Sequence, residues 1–158
     1  MSWDTFWEVN MASPTLPKHG TQTDEIFETI FHKQLKSNMD VIEMIKEGIN
    51  KSSLMKFVRF LNYSPKQIAH LLPISLRTIQ RYASKQKFSP GISEHIIQLV
   101  FIVGKGIEVF GSREKFMRWF NTPSAAFGGI APCDLVSLKT GALMVLDALG
   151  RIEYGVYA

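Results

Sequence analysis

Apolar residues recur at helical spacing along most of this chain, and the interruptions fall where helices would be expected to stop. From Asp24 onward Ile26, Phe27, Ile30 and Phe31 make one face, and Val41, Ile42 and Ile45 make the next, with Gly48 as its stop. Leu54, Phe57, Val58 and Leu61 mark a further helix ending near Asn62-Tyr63. Two short helices come close behind. Ser64-Pro65-Lys66-Gln67 offers an N-cap serine, a proline at the first helical position and a glutamine placed to close a capping box; after Pro73 a second start falls at Ser75. Beyond Ser89-Pro90-Gly91 a long apolar helix is predicted from near Ser93 to Phe110, weakened or bent at Gly104 and Gly106. Ser112 is placed to cap the next, which carries Phe116, Trp119 and Phe120 as core residues. A turn-rich segment from Thr122 to Pro132 leads to a short helix around Asp134 to Leu138, and Thr140 is read as the cap of a last helix through Leu149, with a short tail beyond it. No stretch shows sustained strand-like alternation. Ahead of all this, Trp3, Phe6 and Trp7 share a helical face, but Ser13-Pro14, Pro17 and His19-Gly20 break the pattern before it can extend. The chain therefore reads as all-α: a weakly ordered segment over 1–23, a helical region over 24–91 and a small helical domain over 92–158.

The helix pair at about 64–85 has the form of a helix-turn-helix, in which the second helix keeps polar residues outward for reading DNA. Ile68 and Leu72 are placed inward, Ala69 is the small residue at the crossing, Ile74 plugs the turn, and Ile79 with Tyr82 holds the second helix down. Ser75, Leu76, Arg77, Gln80, Arg81 and Ser84 are left facing out. Arginine bonds guanine in bidentate fashion and glutamine does the same to adenine, so this face has the chemistry of base recognition. Thr78, Lys85 and Lys87 suit phosphate contacts that set register. Pro73 stands at the turn position where glycine is common, and its fixed φ demands a different turn.

Charge strengthens this reading. The net charge is only +4, yet there is no acid between Glu47 and Glu94, a stretch holding Lys51, Lys56, Arg59, Lys66, Arg77, Arg81, Lys85 and Lys87. The flanks carry the other ten basic residues and all 14 acids, and are mildly acidic. A segregated positive field of this kind suits a polyanion, because each cation near a phosphate releases a condensed counterion.

The 158 residues, 46% hydrophobic and 20% charged, have an ordinary globular composition. The longest run of large apolar residues, Leu99 to Val103, is far short of the ~20 that cross a bilayer, and no basic start of a secretory signal precedes Asp4 and Glu8. A single cysteine, Cys133, excludes an internal disulfide and fits a reducing compartment. A cytoplasmic protein without a membrane partner is expected. Catalytic chemistry finds little support. His19, His32, His70 and His95 are scattered, with no metal-ligand spacing. Cys133-Asp134 has no local histidine base, and the cysteine is read as a small packed residue. Gly104-Lys105-Gly106 lacks the spacing and the preceding strand of a dinucleotide loop, and Gly128-Gly129 is read as a turn where side chains would clash. A non-enzyme without catalytic residues, metal or cofactor is expected.

The C-terminal third is the most specific part. Val109-Phe110-Gly111, Trp119 followed by Asn121-Thr122-Pro123, Phe127-Gly128-Gly129, Ala131-Pro132, Thr140-Gly141 and Arg151-Ile152-Glu153-Tyr154-Gly155-Val156 form an ordered series. This series, over about residues 92–158, resembles the toxin-binding domain of Xre/MbcA/ParS-type antitoxins. Leu72-Pro73-Ile74-Ser75 and Arg77-Thr78-Ile79-Gln80-Arg81 resemble the Xre-type helix-turn-helix that accompanies it. The resemblance implies the antitoxin of a bacterial type II toxin–antitoxin pair, with a RES-domain toxin related to ADP-ribosyltransferases, and using NAD, as partner. It further implies operator DNA as a second partner, autorepression of a shared operon through the helix-turn-helix, and homo-oligomers within the toxin–antitoxin complex. Carried onto this chain, the segment obstructing the toxin's active site is Arg151, Glu153, Tyr154, Gly155, Val156, Tyr157 and Ala158. Tyrosine, with a large apolar face and a polar tip, is favoured at interface hot spots, and Arg151 is suited to an acidic group or a phosphate-binding environment of the partner. Tyr154 is equally compatible with packing back on its own domain. The alternative reading is a stand-alone Xre-like transcriptional regulator whose C-terminal domain only oligomerises.

Overall fold

The structure is a computed structural model and describes residues 20–155. Its elements are α1 (Thr21–Phe31), α2 (Asn38–Glu47), α3 (Lys51–Phe60), α4 (Pro65–Leu71), α5 (Leu76–Arg81), α6 (Pro90–Phe110), α7 (Arg113–Phe120), two 3-10 turns (Ala125–Phe127 and Pro132–Asp134) and α8 (Lys139–Glu153). The protein is all-α. Among the described residues, backbone pairing outside helices is confined to two isolated bridges, Asn50 with Lys87 and Ser124 with Ile130.

The most apolar segment takes the centre. Helix α6 buries residues on every side, from Ile96 and Ile97 to Val103 and Ile107, and packs against α1, α2, α7 and α8. A helix apolar all round has to be enclosed by others, and here it joins the N- and C-terminal halves through one continuous core. That core runs from Phe27 through Phe57, Ile68 and Leu99 to Phe116, Phe120, Val145 and Leu149, crossing the boundary expected near residue 91. Among the described residues no single helix is long and apolar enough to cross a membrane.

Several boundaries differ from the sequence expectation. Helix α1 begins at Thr21, ahead of Asp24. Helix α6 begins at Pro90 rather than near Ser93, because Ser89 Oγ accepts the Ile92 amide and Pro90 occupies the first turn. Ser93 lies buried inside the helix, where its Oγ accepts the Ile49 amide at 2.9 Å and donates to the Phe88 carbonyl at 3.3 Å. The turn after Ala131 is 3-10 at Pro132–Asp134 and not an α-helix over 134–138. Helix α8 is capped at Leu138, not Thr140, and continues past Leu149 to Glu153, ending where Gly155 takes a φ of 69°.

The glycines of α6 do not break it. A Cβ built at Gly104 would lie 2.9 Å from the Thr23 Cα of α1, and one at Gly106 would lie 2.2 Å from the Phe116 ring of α7. Both are sites of close helix approach. Gly104→Ala is expected to force α1 outward and lower stability by about 1–3 kcal/mol. Gly150→Ala, where a Cβ meets nothing within 4 Å, should be neutral or stabilise by up to about 1 kcal/mol. Denaturant titration of the two variants checks the contrast. Gly128 and Gly129 also correct the expectation: added side chains would meet open space, and the requirement is their positive φ of 65° and 85°.

Candidate nucleic-acid and partner-binding surfaces

Helices α4 and α5 form the expected pair. Ser64 caps α4 by accepting the Gln67 amide at 3.2 Å, while Gln67 Oε1 returns the contact to the Ser64 amide at 2.8 Å. Ile68 and Leu72 are buried, Ala69 and Ile74 pack at the core's margin, and Ile79 is fully buried beneath α5. The turn at Pro73 is made without a left-handed residue: Leu72 is extended at φ −115°, ψ 152°, and Ser75 opens α5 in the same region. Ser75 Oγ accepts the Thr78 amide at 3.1 Å and meets Thr78 Oγ1 at 2.9 Å. These two hydroxyls thus shape the helix start while staying near its outer edge.

Arg77, Gln80 and Arg81 are exposed together on α5, with Leu76 and Thr78 half-buried beside them. Ser84, Lys85 and Lys87 are exposed on the loop after α5. Among the described residues none of the eight cations in the acid-free stretch forms an ion pair. Among the described residues no acid compensates the positive field of this surface.

Lys51 has a different task, which its place in a run of cations concealed. Its Nζ donates to the Tyr82 carbonyl at 2.8 Å and to the Gln80 carbonyl at 3.3 Å, satisfying the open C-terminus of α5. The backbone reinforces the clamp through Lys51 to Gln86, Ser52 to Ser84 and Phe88 to Ile49, and Tyr82 stacks on Phe88 at 4.7 Å between centroids. Lys51→Met is expected to loosen α5 and, on the sequence expectation that α5 reads DNA, to weaken specific binding about tenfold, the scale of one charged hydrogen bond. The slope of log affinity against log salt should stay the same, because no phosphate contact is removed. Salt titration of the variant separates the two effects.

Polar contacts join this region to the C-terminal third. Tyr63 Oη donates to Asn121 Oδ1 at 2.5 Å, His70 Nε2 lies 2.7 Å from Asp134 Oδ1, and Arg113 donates to the Phe60 carbonyl at 2.9 Å. Burial, with Cys133 close by, pushes the Tyr63 hydroxyl well above its ordinary range, so it acts here as a neutral donor. The Cys133 thiol is pushed up to about 11 by burial and by Asp134, which keeps it protonated near neutrality and a poor nucleophile. Among the described residues no group of three His, Cys, Asp or Glu is arranged to hold a metal ion; His19 lies outside them.

In the C-terminal third, Phe116 and Phe120 are fully buried and Trp119 is half-buried against Phe110 at 5.3 Å. Gly141 lets α8 sit on the preceding turn, since a Cβ there would lie 1.9 Å from the Leu135 carbonyl oxygen. Ala142, Val145 and Leu149 face inward, leaving Thr140, Met144, Asp147, Arg151 and Tyr154 on one exposed face. Sequence reasoning stops the helix at Leu149 and misses the continuity of this face, although spacings of three and four reveal it. Arg151 is paired with Asp147 at 2.9 Å, and Glu153 with Lys105 of α6. Tyr154 is 80% exposed and does not pack back on the domain. Gly155 comes next in a left-handed turn; Val156, Tyr157 and Ala158 lie outside the described residues.

Comparison with known proteins matches both regions. A family model described as the antitoxin Xre-like helix-turn-helix domain matches residues 40–100. A second, the antitoxin Xre/MbcA/ParS C-terminal toxin-binding domain, matches residues 105–155. Among similar proteins is an antitoxin Xre of Photorhabdus laumondii, 25% identical over 143 residues that make up 89% of this chain and 95% of the relative. An antitoxin Xre of Yersinia enterocolitica is 28% identical over 75% of this chain and 81% of its own length. A protein of a Sphingobium species named Prs ADP-ribosylating antitoxin is 29% identical over 77% and 83% respectively.

Proposed function

We propose, from the successive matches of this chain to the antitoxin Xre-like helix-turn-helix and Xre/MbcA/ParS toxin-binding models, that it neutralises one cognate toxin by direct binding and represses its own operon. The observation that carries this reading is the succession, on a single chain, of a helix-turn-helix match with an exposed Arg77–Gln80–Arg81 face and a toxin-binding match ending in an exposed tyrosine. The partner is a RES-domain toxin of ADP-ribosyltransferase type. The resemblance carried by the ordered Gly/Pro series of the C-terminal third implies the RES class, and the printed name of the Sphingobium relative, a Prs ADP-ribosylating antitoxin, supports the ADP-ribosylating chemistry alone. Arg151, Glu153, Tyr154, Gly155, Val156, Tyr157 and Ala158 obstruct the toxin's active site, with α8 as the mount: Arg151 and Glu153 are held by their own ion pairs, and Tyr154 projects.

In this reading the chain is not a catalyst and acts in the cytoplasm as an oligomer, beside the toxin and the operator. Co-expression with the neighbouring gene product tests it. The two chains should co-purify, the toxin alone should arrest growth, and this protein should restore it. A chain that travels alone, binds DNA and leaves an adjacent toxin active would instead be a stand-alone regulator.

A further inference from the structure

Helix α7 carries three cations in eight residues, Arg113, Lys115 and Arg118, and its only acid, Glu114, is matched by Arg113 at 3.0 Å. Lys115 and Arg118 are exposed, three positions apart, and form no ion pair among the described residues. Both line one shallow groove, with Trp119 and Thr122 beside them. The proposed function uses neither cation.

Both ends of this helix are fastened to the junction of α3 and α4. Arg113 donates to the carbonyl of Phe60, the last residue of α3, at 2.9 Å and lies 5.6 Å from the centre of its ring. Asn121, which ends α7, accepts the Tyr63 hydroxyl at 2.5 Å, one residue ahead of the serine that caps α4. Phe116 and Phe120 anchor the inner face of α7 in the common core. Lys115 and Arg118 are therefore held in a fixed relation to α4. Along the same junction Arg59 and Lys66 are exposed, and they too lack an ion pair among the described residues. In a helix-turn-helix the second helix enters the major groove while the first crosses the sugar-phosphate backbone. Lys66, in the first turn of α4, is placed for that backbone, and Arg118 lies about one helical turn from Asn121. An acidic protein would need carboxylates at matching positions. A duplex presents a charge every ~1.7 Å whatever its sequence, which suits cations that no local partner orients.

We propose that Lys115 and Arg118 contact phosphates of the duplex flanking the sequence read by α5, so that the C-terminal third adds to the DNA footprint. The inference rests on the reading of α4 and α5 as the DNA-binding pair, and it carries that surface across the boundary between the two family matches. Lys115→Ala with Arg118→Ala, made in the full-length chain, tests it. Both side chains are on the surface, so the far-UV spectrum should not change. On a long duplex from the promoter region of the chain's own gene, the slope of log affinity against log salt should fall by about two. A scrambled duplex of equal length should show the same fall, and a duplex trimmed to the core read by α5 should show none. Lys115→Arg with Arg118→Lys should keep the parent slope. Lys36→Ala with Lys46→Ala removes the same charge from exposed positions around α2 and should leave the slope alone. An unchanged slope in the α7 variant overturns the proposal, as does an equal fall in the α2 variant or on the trimmed duplex. Loss of binding to the neighbouring gene product with the DNA slope intact assigns the two cations to a protein partner and overturns it too. Arg77→Ala with Arg81→Ala on the same duplexes reports separately on α5. If that pair changes nothing, the underlying reading falls and this inference with it; if it weakens binding while the α7 pair does not alter the slope, this inference alone falls.

Discussion

Deleting residues 154–158 is expected to lower affinity for the toxin about 30- to 1,000-fold, the loss of one to two aromatic hot spots. Tyr154 is 80% exposed, so its ring contributes almost nothing to the fold and is available to a partner. The shortened chain ends at Glu153, which leaves the Lys105–Glu153 and Arg151–Asp147 pairs in place. Folding stability should change by no more than about 1 kcal/mol. DNA affinity should be unchanged, because α4, α5 and the Lys51 clamp lie elsewhere. Growth of cells co-expressing the toxin, together with a binding titration on purified proteins, gives the readout. Tyr154→Phe should keep most of the affinity that Tyr154→Ala loses if the ring, and not its hydroxyl, is the anchor. Full protection by the shortened chain would take residues 154–158 out of the interface.

The sequence declares the helices through spacing and caps because those signals are local. Ser64-Pro65-Lys66-Gln67 reads the same in isolation as in the fold, and the structure builds the capping box it announces. Ile68, Leu72 and Ile79 are legible as buried for the same reason. The features that stay hidden depend on partners distant in the chain. Nothing near Gly104 or Gly106 states that α1 and α7 approach there, so both look like weak points in a helix. Ser93 reads as lying near the helix start because its buried partners, Ile49 and Phe88, lie 44 and five residues away and leave no local signal. The candidate surfaces divide in the same way. Arg77, Gln80 and Arg81 are recognisable from helical periodicity on one short helix. Lys51 counts in the sequence as one more cation, and its bond to Tyr82, 31 residues on, requires the tertiary structure.

Arg77→Ala combined with Arg81→Ala should reduce specific operator binding by between about 30-fold and about 10⁴-fold, at about 1–3 kcal/mol for each base-reading arginine. Both guanidiniums are exposed on α5, without an ion pair among the described residues, so truncation leaves no buried charge behind and the fold should persist. Lys85→Ala with Lys87→Ala provides the contrast. These loop cations are suited to phosphates, so their loss should weaken specific and non-specific DNA alike and reduce the salt slope by about one per contact. The arginine pair should instead collapse the ratio of specific to non-specific affinity. Mobility-shift titrations across salt concentrations, on operator and scrambled duplexes, separate the two patterns. Equal losses on both duplexes for the arginine variant would mean that α5 grips the backbone and that base recognition lies on another element.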